Sequence, residues 1–263
     1  MELEVNQVYC MEALELLARL PPQSVDAYIT DLPYGTTACS WDEIIPFEPM
    51  WKEVKRTLKP RGVFVTTASQ PFTSKLIMSN LDWFRHEWVI EKSLPTGHLN
   101  ANRAPMKAHD NLVVFSGTAP IYYPQFSDGE PYRATSGAAG GYVHDKETAN
   151  HTTINHGVRW PRTVLRFAYD SGLHPTQKPV ALYEYLIRTY TLENDLVVDF
   201  CCGSGTTGLA ARNLKRRYIL NDKERVYVDI AIDCLKTEFG SRKQKPGEAL
   251  DDLPLFRAAG EGE

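Results

Sequence analysis

The sequence predicts an α/β protein with a doubly wound, mostly parallel sheet, and three observations carry that expectation. Short apolar runs alternate with helical stretches along most of the chain. Several of those runs, such as VDAYIT, GVFVTTA and DLVVDF, are largely apolar, as strands covered by helices on both faces are. A glycine-rich turn, Gly203-x-Gly205-x-x-Gly208, follows one such run and opens a helix, which is the context of a nucleotide-binding unit.

The elements follow in order. EVNQVYC (4–10) reads as a short strand, and MEALELLARL (11–20) as a helix stopped by Pro21-Pro22. VDAYIT (25–30) is an apolar strand. PMWKEVKRTL (49–58) is helical, and the turn Lys59-Pro60-Arg61-Gly62 delivers the chain into strand GVFVTTA (62–68). PFTSKLIMSN (71–80) is a helix with proline at its start, where the missing N–H is harmless. HEWVIEKS (86–93) and NLVVFS (111–116) are two more strands. From Gly117 to Leu173 the composition shifts to Gly, Ser, Tyr, Pro and His and no period survives, so this stretch reads as a long surface insertion. Regularity returns with helix VALYEYLIRTY (180–190), strand DLVVDF (195–200), helix TTGLAARNLKRR (206–217), strand YILND (218–222) and helix ERVYVDIAIDCLKTEF (224–239). The expected organisation is 1–116 and 174–240 as one domain, 117–173 inserted into it, and 241–263 as a polar tail.

Composition bounds the function. With 263 residues, 43% hydrophobic and 24% charged, the chain can bury one large α/β core with an insertion. No apolar run approaches the roughly 18 residues of a membrane span, and MELEVNQVYC lacks a signal peptide's basic-then-apolar order, so a cytoplasmic protein with no membrane partner is expected. The five cysteines (10, 39, 201, 202, 234) include no C-x-x-C, which argues against a disulfide framework or a metal site. A net charge of −4 does not announce a nucleic-acid binder. Local basic clusters still allow one: KRTLKPR (55–61), NRAPMK (102–107), RWPRTVLR (159–166) and RNLKRR (212–217).

The glycine turn and its neighbours carry the chemistry. Asp222 ends the next strand, 17 residues beyond Gly205, where a carboxylate can accept bonds from both hydroxyls of a ribose. No Lys-Ser/Thr follows at P-loop spacing. A ribose-bearing cofactor is therefore expected, either NAD or S-adenosylmethionine. NAD folds use a second mononucleotide half after the fingerprint, and only 58 residues follow Gly205, some of them tail. The adenosyl part of S-adenosylmethionine needs one half. Asp31-Leu32-Pro33-Tyr34 closes the strand 25–30; taken alone it reads as a turn.

Three blocks in this order resemble the β-group of amino-methylating DNA methyltransferases: DLPYG (31–35), HPTQKPVALYEYLI (174–187) and DFCCGSGTT (199–207). LKPRGVFV (58–65) and RAPMKAHDNLVVFSG (103–117) look like the group's connecting motifs. The resemblance spans roughly 4–240 and is weakest over 118–172. Two departures stand out: Leu32 replaces the first proline of the tetrapeptide, and Phe200-Cys201 replaces Pro-Phe.

The resemblance implies a Rossmann-like methyltransferase fold with an inserted target-recognition region. The implied reaction moves a methyl group from S-adenosylmethionine to the N6 of an adenine flipped out of duplex DNA. Asp rather than Ser at position 31 points to adenine over cytosine N4. By resemblance, Asp31 and the Leu32 carbonyl accept the two N–H groups of the target amine. Pro33 fixes the backbone, and Tyr34 stacks on the base. The cofactor would be held by Asp199, Phe200, Cys201, Gly203, Ser204, Gly205 and Thr206, with Asp222 on the ribose and His174, Thr176 and Lys178 at the methionine end. Lys178 as a solvated lysine and His174 as a helix cap are the alternatives. Arg103, Lys107, Arg133, Arg159, Arg162 and Arg166 are the candidate DNA contacts, with 117–173 reading bases. Trp41-Asp42 either closes over the base or belongs to the core, and His109 and Asp110 read as structural residues. Duplex DNA is the expected partner, with a homodimer and a cognate restriction enzyme as further ones. Cytosine-N4 methylation and a permuted NAD oxidoreductase are the rival functions.

Overall fold

A computed structural model describes residues 3–36, 42–135, 152–167 and 178–236. The chain runs β1 (Gln7–Cys10), α1 (Ala13–Arg19), β2 (Val25–Asp31), α2 (Phe47–Thr57), β3 (Leu58–Ala68), α3 (Phe72–Ser79), β4 (Phe84–Thr96) and β5 (Lys107–Phe115). Then come β6 (Ser127–Asp128), β7 (Tyr132–Thr135), β8 (Thr152–Asn155), β9 (Val158–Arg159) and β10 (Val164–Arg166). Last are α4 (Val180–Tyr190), β11 (Leu196–Asp199), α5 (Thr206–Asn213), β12 (Arg217–Asp222) and α6 (Arg225–Lys236).

Eight strands form one sheet in the order β1-β12-β11-β2-β3-β5-β4-β10. All neighbours are parallel except β5, which runs antiparallel between β3 and β4. The doubly wound expectation is met. From β2 the chain winds outward through α2 to β3, and from β11 it winds the other way through α5 to β12. The strand order therefore reverses between β2 and β11, and an open α/β sheet binds its ligand at the carboxyl ends of such a pair.

An aromatic cluster fills the space beneath these ends. The buried rings of Tyr28, Phe64, Phe115 and Phe200 pack with Trp51 of α2, whose ring centroid lies 4.9 Å from those of both Phe64 and Phe115. Burying each such side chain contributes roughly 1.5–3 kcal/mol. The polar ends are satisfied: Trp51 Nε1 donates to Ser79 Oγ at 2.8 Å, and the Tyr28 hydroxyl lies 2.6 Å from Thr57 Oγ1.

The stretch 117–173 holds more order than its composition suggests. The chain divides by contacts into two units, and the described part of the second covers 124–135 and 152–161. It is built from two short antiparallel pairs, β6 with β9 and β7 with β8. Arg159 ties it together, donating to Asn155 Oδ1 at 2.5 Å and to the Glu130 carbonyl, with its guanidinium 4.8 Å from the Tyr132 ring. Val164–Arg166 returns to the first unit as an edge strand parallel to β4. Strands of two to four residues leave no readable period, so none of these was visible in the sequence.

Candidate active site

Asp31 is the last residue of β2 and Asp199 the last of β11, and the two strands pair in parallel through Ala27–Val197 and Tyr28–Val198. The switch point therefore places two carboxylates side by side, and each raises the pKa of groups around the other.

Asp31 is held on both oxygens. Oδ1 accepts from the Thr67 hydroxyl and from the Tyr34 hydroxyl at 2.7 Å, and Oδ2 accepts from Lys178 Nζ at 2.6 Å. Thr67 reaches it because β3 pairs Thr67 directly with Asp31. Burial disfavours the charge on Asp31. The charge and hydrogen bond of Lys178, together with the two hydroxyls, overcome it and hold the carboxyl below its ordinary range. Tyr34 stays a neutral phenol, pushed up by burial and by the Asp31 charge. Its ring lies 5.2 Å from that of Phe72, the first residue of α3, and tilts 31° to it.

The backbone of this loop hangs on Asp42. Oδ1 of Asp42 accepts from the N–H groups of Tyr34 (2.7 Å) and Gly35 (2.9 Å), and Oδ2 accepts from Thr36 N–H at 2.9 Å. Asp42 is buried, so these charge-assisted bonds fix the loop strongly. It is a loop anchor; Trp41 lies outside the described residues. The Leu32 side chain is buried in the core, which leaves its backbone as its contribution to the site.

The glycine loop is shaped by the two other carboxylates. Asp199 Oδ1 accepts from Cys201 N–H at 3.1 Å and Oδ2 from the Thr207 hydroxyl at 2.6 Å. Burial raises its pKa to about 7, opposed by the hydrogen bonds from the Thr207 hydroxyl and Cys201 N–H. Asp222 accepts from Gly203 N–H on Oδ2 and Glu224 N–H on Oδ1, each at 3.0 Å, and burial raises its pKa too. Gly205 has φ +78°, and a Cβ there would stand 2.8 Å from the Ala231 Cβ and 2.9 Å from its Cα, so α6 packs on the bare backbone. Gly203 has φ +49°, and a Cβ on it would meet nothing within 4 Å, so this side of the loop is open to a ligand.

An adenosyl group fits these residues. The open face lies over Gly203, and each Asp222 oxygen keeps lone-pair capacity for a ribose hydroxyl. Thr206 and Ser204, whose hydroxyls lie 3.3 Å apart, stand at the start of α5, the positive end of that helix.

The structure brings together Asp31, Tyr34 and Lys178, which the sequence assigned to two different roles, and places Asp199 beside them. Phe200 turns its ring into the core, 5.8 Å from Tyr28 and 6.2 Å from Phe64, so only its backbone borders the loop. Burial pushes the Cys201 thiol up and keeps it neutral. His174 and Thr176 lie outside the described residues.

Among the basic candidates, Arg103, Arg133 and Arg162 are exposed. Lys107 is 2.7 Å from Asp110 and donates to Ser69 at 2.6 Å, and Arg166 pairs with Glu91. Arg159 is spent within its own unit, as described above. Asp110 also meets Lys92 at 2.9 Å, and the two lysines hold it below the ordinary carboxylate range against the effect of burial. Sequence reasoning missed Thr67, Thr207 and Tyr183, a buried α4 phenol near Asp31 and Asp199. Aligning the apolar runs of β2 and β3 would have paired Thr67 with Asp31. The sequence places Asp42 with Trp41 over the base or in the core, and only the fold shows it as the anchor of the loop backbone.

The chain matches the family profile described as DNA methylase over residues 25–233. It is 48% identical over 259 residues to the type II methyltransferase M2.LlaDCHI of Lactococcus lactis subsp. cremoris, covering 84% of this chain and 85% of that protein. It is 27% identical over 254 residues to the type II methyltransferase M.HpaI of Haemophilus parainfluenzae, covering 89% and 75%. Among solved structures, the cytosine-N4-specific PvuII DNA methyltransferase shares the fold with a TM-score of 0.63 at 19% identity over 90% of this chain and 88% of that one. The M1.HpyAVI–SAM complex does so with a TM-score of 0.58 at 23% identity over 86% and 98%. The family match runs through the tetrapeptide and the glycine loop alike, which overturns the NAD reading of that loop. Sequence blocks, switch-point carboxylates and relatives agree: the chain belongs to the N6-adenine/N4-cytosine DNA methylase family, amino-methyltransferases that use S-adenosylmethionine.

Proposed function

We propose that this protein methylates the N6 of an adenine flipped out of duplex DNA. The observation that carries the proposal is the Asp31 carboxylate at the strand switch point, held by Lys178, Tyr34 and Thr67, beside a glycine loop whose open face and ribose-ready Asp222 suit an adenosyl cofactor. When bound, S-adenosylmethionine supplies an electrophilic methyl group on a sulfonium. Gly203, Ser204, Gly205, Thr206 and Asp222 would hold it, with Asp199 shaping the loop.

The exocyclic amine of adenine is a weak nucleophile because its lone pair is delocalised into the ring. Asp31 and the Leu32 carbonyl would accept its two N–H groups, localise that lone pair and aim it at the methyl carbon, so that alignment does most of the catalytic work. In the transfer the nitrogen would take up the cofactor's methyl group, and the C–S electron pair would stay on the cofactor's sulfur. The nitrogen then loses one proton, to Asp31 or through it to water. Tyr34, already beside Asp31, would stack on the extruded base, an interaction worth about 1–3 kcal/mol.

The 117–173 region reads the target in this proposal. Arg103, Arg133 and Arg162 contact phosphates or bases, Lys107 and Arg166 do so by exchanging their acidic partners for DNA, and Arg159 acts by holding its unit together. Cytosine N4 is the second reading, favoured by the fold shared with a cytosine-N4-specific enzyme. The aspartate at position 31 favours adenine.

The test is to incubate duplex DNA with labelled S-adenosylmethionine and digest it to nucleosides for mass spectrometry. N6-methyladenine is expected. N4-methylcytosine selects the second reading, and no methyl transfer at all sinks both. Sedimentation tests a homodimer, and the sensitivity of methylated and unmethylated DNA to a neighbouring nuclease tests a restriction partner. Among the described residues no helix is long and apolar enough to cross a membrane, in keeping with the proposed cytoplasmic site.

A further inference from the structure

Resemblance assigns Lys178 to the methionine end of the cofactor, but the structure puts its ammonium on the catalytic carboxylate. Lys178 Nζ donates to Asp31 Oδ2 at 2.6 Å with only 15% of its side chain exposed. Its position is fixed by the fold. It directly precedes Pro179, the N-cap of α4, whose residues Val180, Leu182 and Tyr183 are buried. α4 in turn is tied to the cofactor helix α5, with Asn213 Nδ2 donating to Glu184 Oε1 at 2.9 Å.

We infer that Lys178 is a positioning residue for Asp31, holding the carboxylate ionised and its Oδ2 fixed for the target amine, and that it is not a cofactor ligand. This rests on the amino-methyltransferase reading above and deepens it.

The reason lies in what surrounds Asp31. From its own loop comes the Tyr34 phenol, and from β3 the Thr67 hydroxyl. The end of β11 supplies Asp199 and Cys201, and α4 supplies Tyr183. On β5 stands Asp110, already matched by Lys92 and Lys107. Most of these groups are neutral donors or further acids. Hydroxyl donors orient a carboxylate but do not balance its charge. Among the described residues, Lys178 is the one cation hydrogen-bonded to it. A protonated Asp31 would lose the acceptor that the target N–H needs.

Removing the lysine charge leaves only the Thr67 and Tyr34 hydroxyls to oppose burial, so the carboxyl pKa rises. The ionised form is then lost as pH falls through that raised value, and activity is lost with it. The test uses the full-length protein, comparing wild type with Lys178→Met and Lys178→Arg. It reads methyl transfer to duplex DNA across pH, and S-adenosylmethionine binding by calorimetry. For Lys178→Met, the acidic limb of the kcat profile should move up by a unit or more. At neutral pH kcat should fall about tenfold or more, recovering in part at high pH. Lys178→Arg should keep its limb near the wild-type position, and cofactor Kd should stay within about threefold in both. Cofactor binding weakened tenfold or more with an unmoved limb would overturn the inference and return Lys178 to the methionine. An unchanged profile with unchanged binding would overturn it too. If Lys178→Met folds poorly, Lys178→Gln carries the same comparison. A wild-type enzyme that transfers no methyl group at any pH would instead refute the underlying function.

Discussion

Asp31 and Asp199 end neighbouring parallel strands, yet the fold pushes their pKa values in opposite directions. Asp31 has a third of its side chain exposed and a lysine on Oδ2, and it is held ionised. Asp199 is almost fully buried, meets only neutral donors, and is lifted to about 7. Two identical residues at equivalent places thus differ because one has a counter-charge and the other meets none among the described residues. In the proposed reaction, the difference separates a carboxylate that accepts the N–H groups of the target amine from one that shapes a loop.

Breaking the first member of the pair gives the largest effect. Asp31→Ala should lower kcat by about a thousandfold or more while calorimetry shows cofactor affinity within threefold of wild type; activity within tenfold of wild type would remove Asp31 from catalysis. On the other side, Gly205→Val forces a β-branched residue to a positive φ against Ala231. It should weaken S-adenosylmethionine binding by about thirtyfold or more. Asp42→Ala releases three loop N–H groups at once. A loss of about tenfold in kcat and roughly 1–3 kcal/mol in urea unfolding is expected.

The buried member predicts a pH effect with a definite sign. Because its folded pKa lies above the ordinary 3.8, Asp199 adds stability that is fully present below about 4 and lost as pH rises toward about 7. Asp199→Asn removes that loss. Relative to wild type without cofactor, the variant should gain on the order of 1–3 kcal/mol in urea unfolding between pH 5 and pH 8; a constant difference across that range would show that Asp199 is ionised throughout. The smallest effect is expected from Thr67→Val, which leaves Tyr34 and Lys178 on Asp31 and should lower kcat by about threefold.

Much of this protein was legible before its fold was known. Each of the longer strands and helices of the first unit was readable, because apolar runs of five or more residues and helical periods survive in one dimension. So was the glycine turn, since Gly203-x-Gly205-x-x-Gly208 between a strand and a helix is a local pattern, and the fold places Gly203 and Gly205 at positive φ. Legibility failed where contacts are made across the chain. Lys178 sits 147 residues from Asp31, and motif spacing could place it near the cofactor but not on the carboxylate. Asp42 looks like any loop acid until its two oxygens are seen to gather three backbone N–H groups.

By itself, then, the sequence determined the doubly wound architecture, the tetrapeptide and the glycine loop, because local periodicity and special residues encode them directly. Only the tertiary structure decided which carboxylate is pushed below its ordinary range and which above it. Ionisation depends on burial and on the nearest counter-charge, and both are set by packing β2 beside β11 and seating the head of α4 against them.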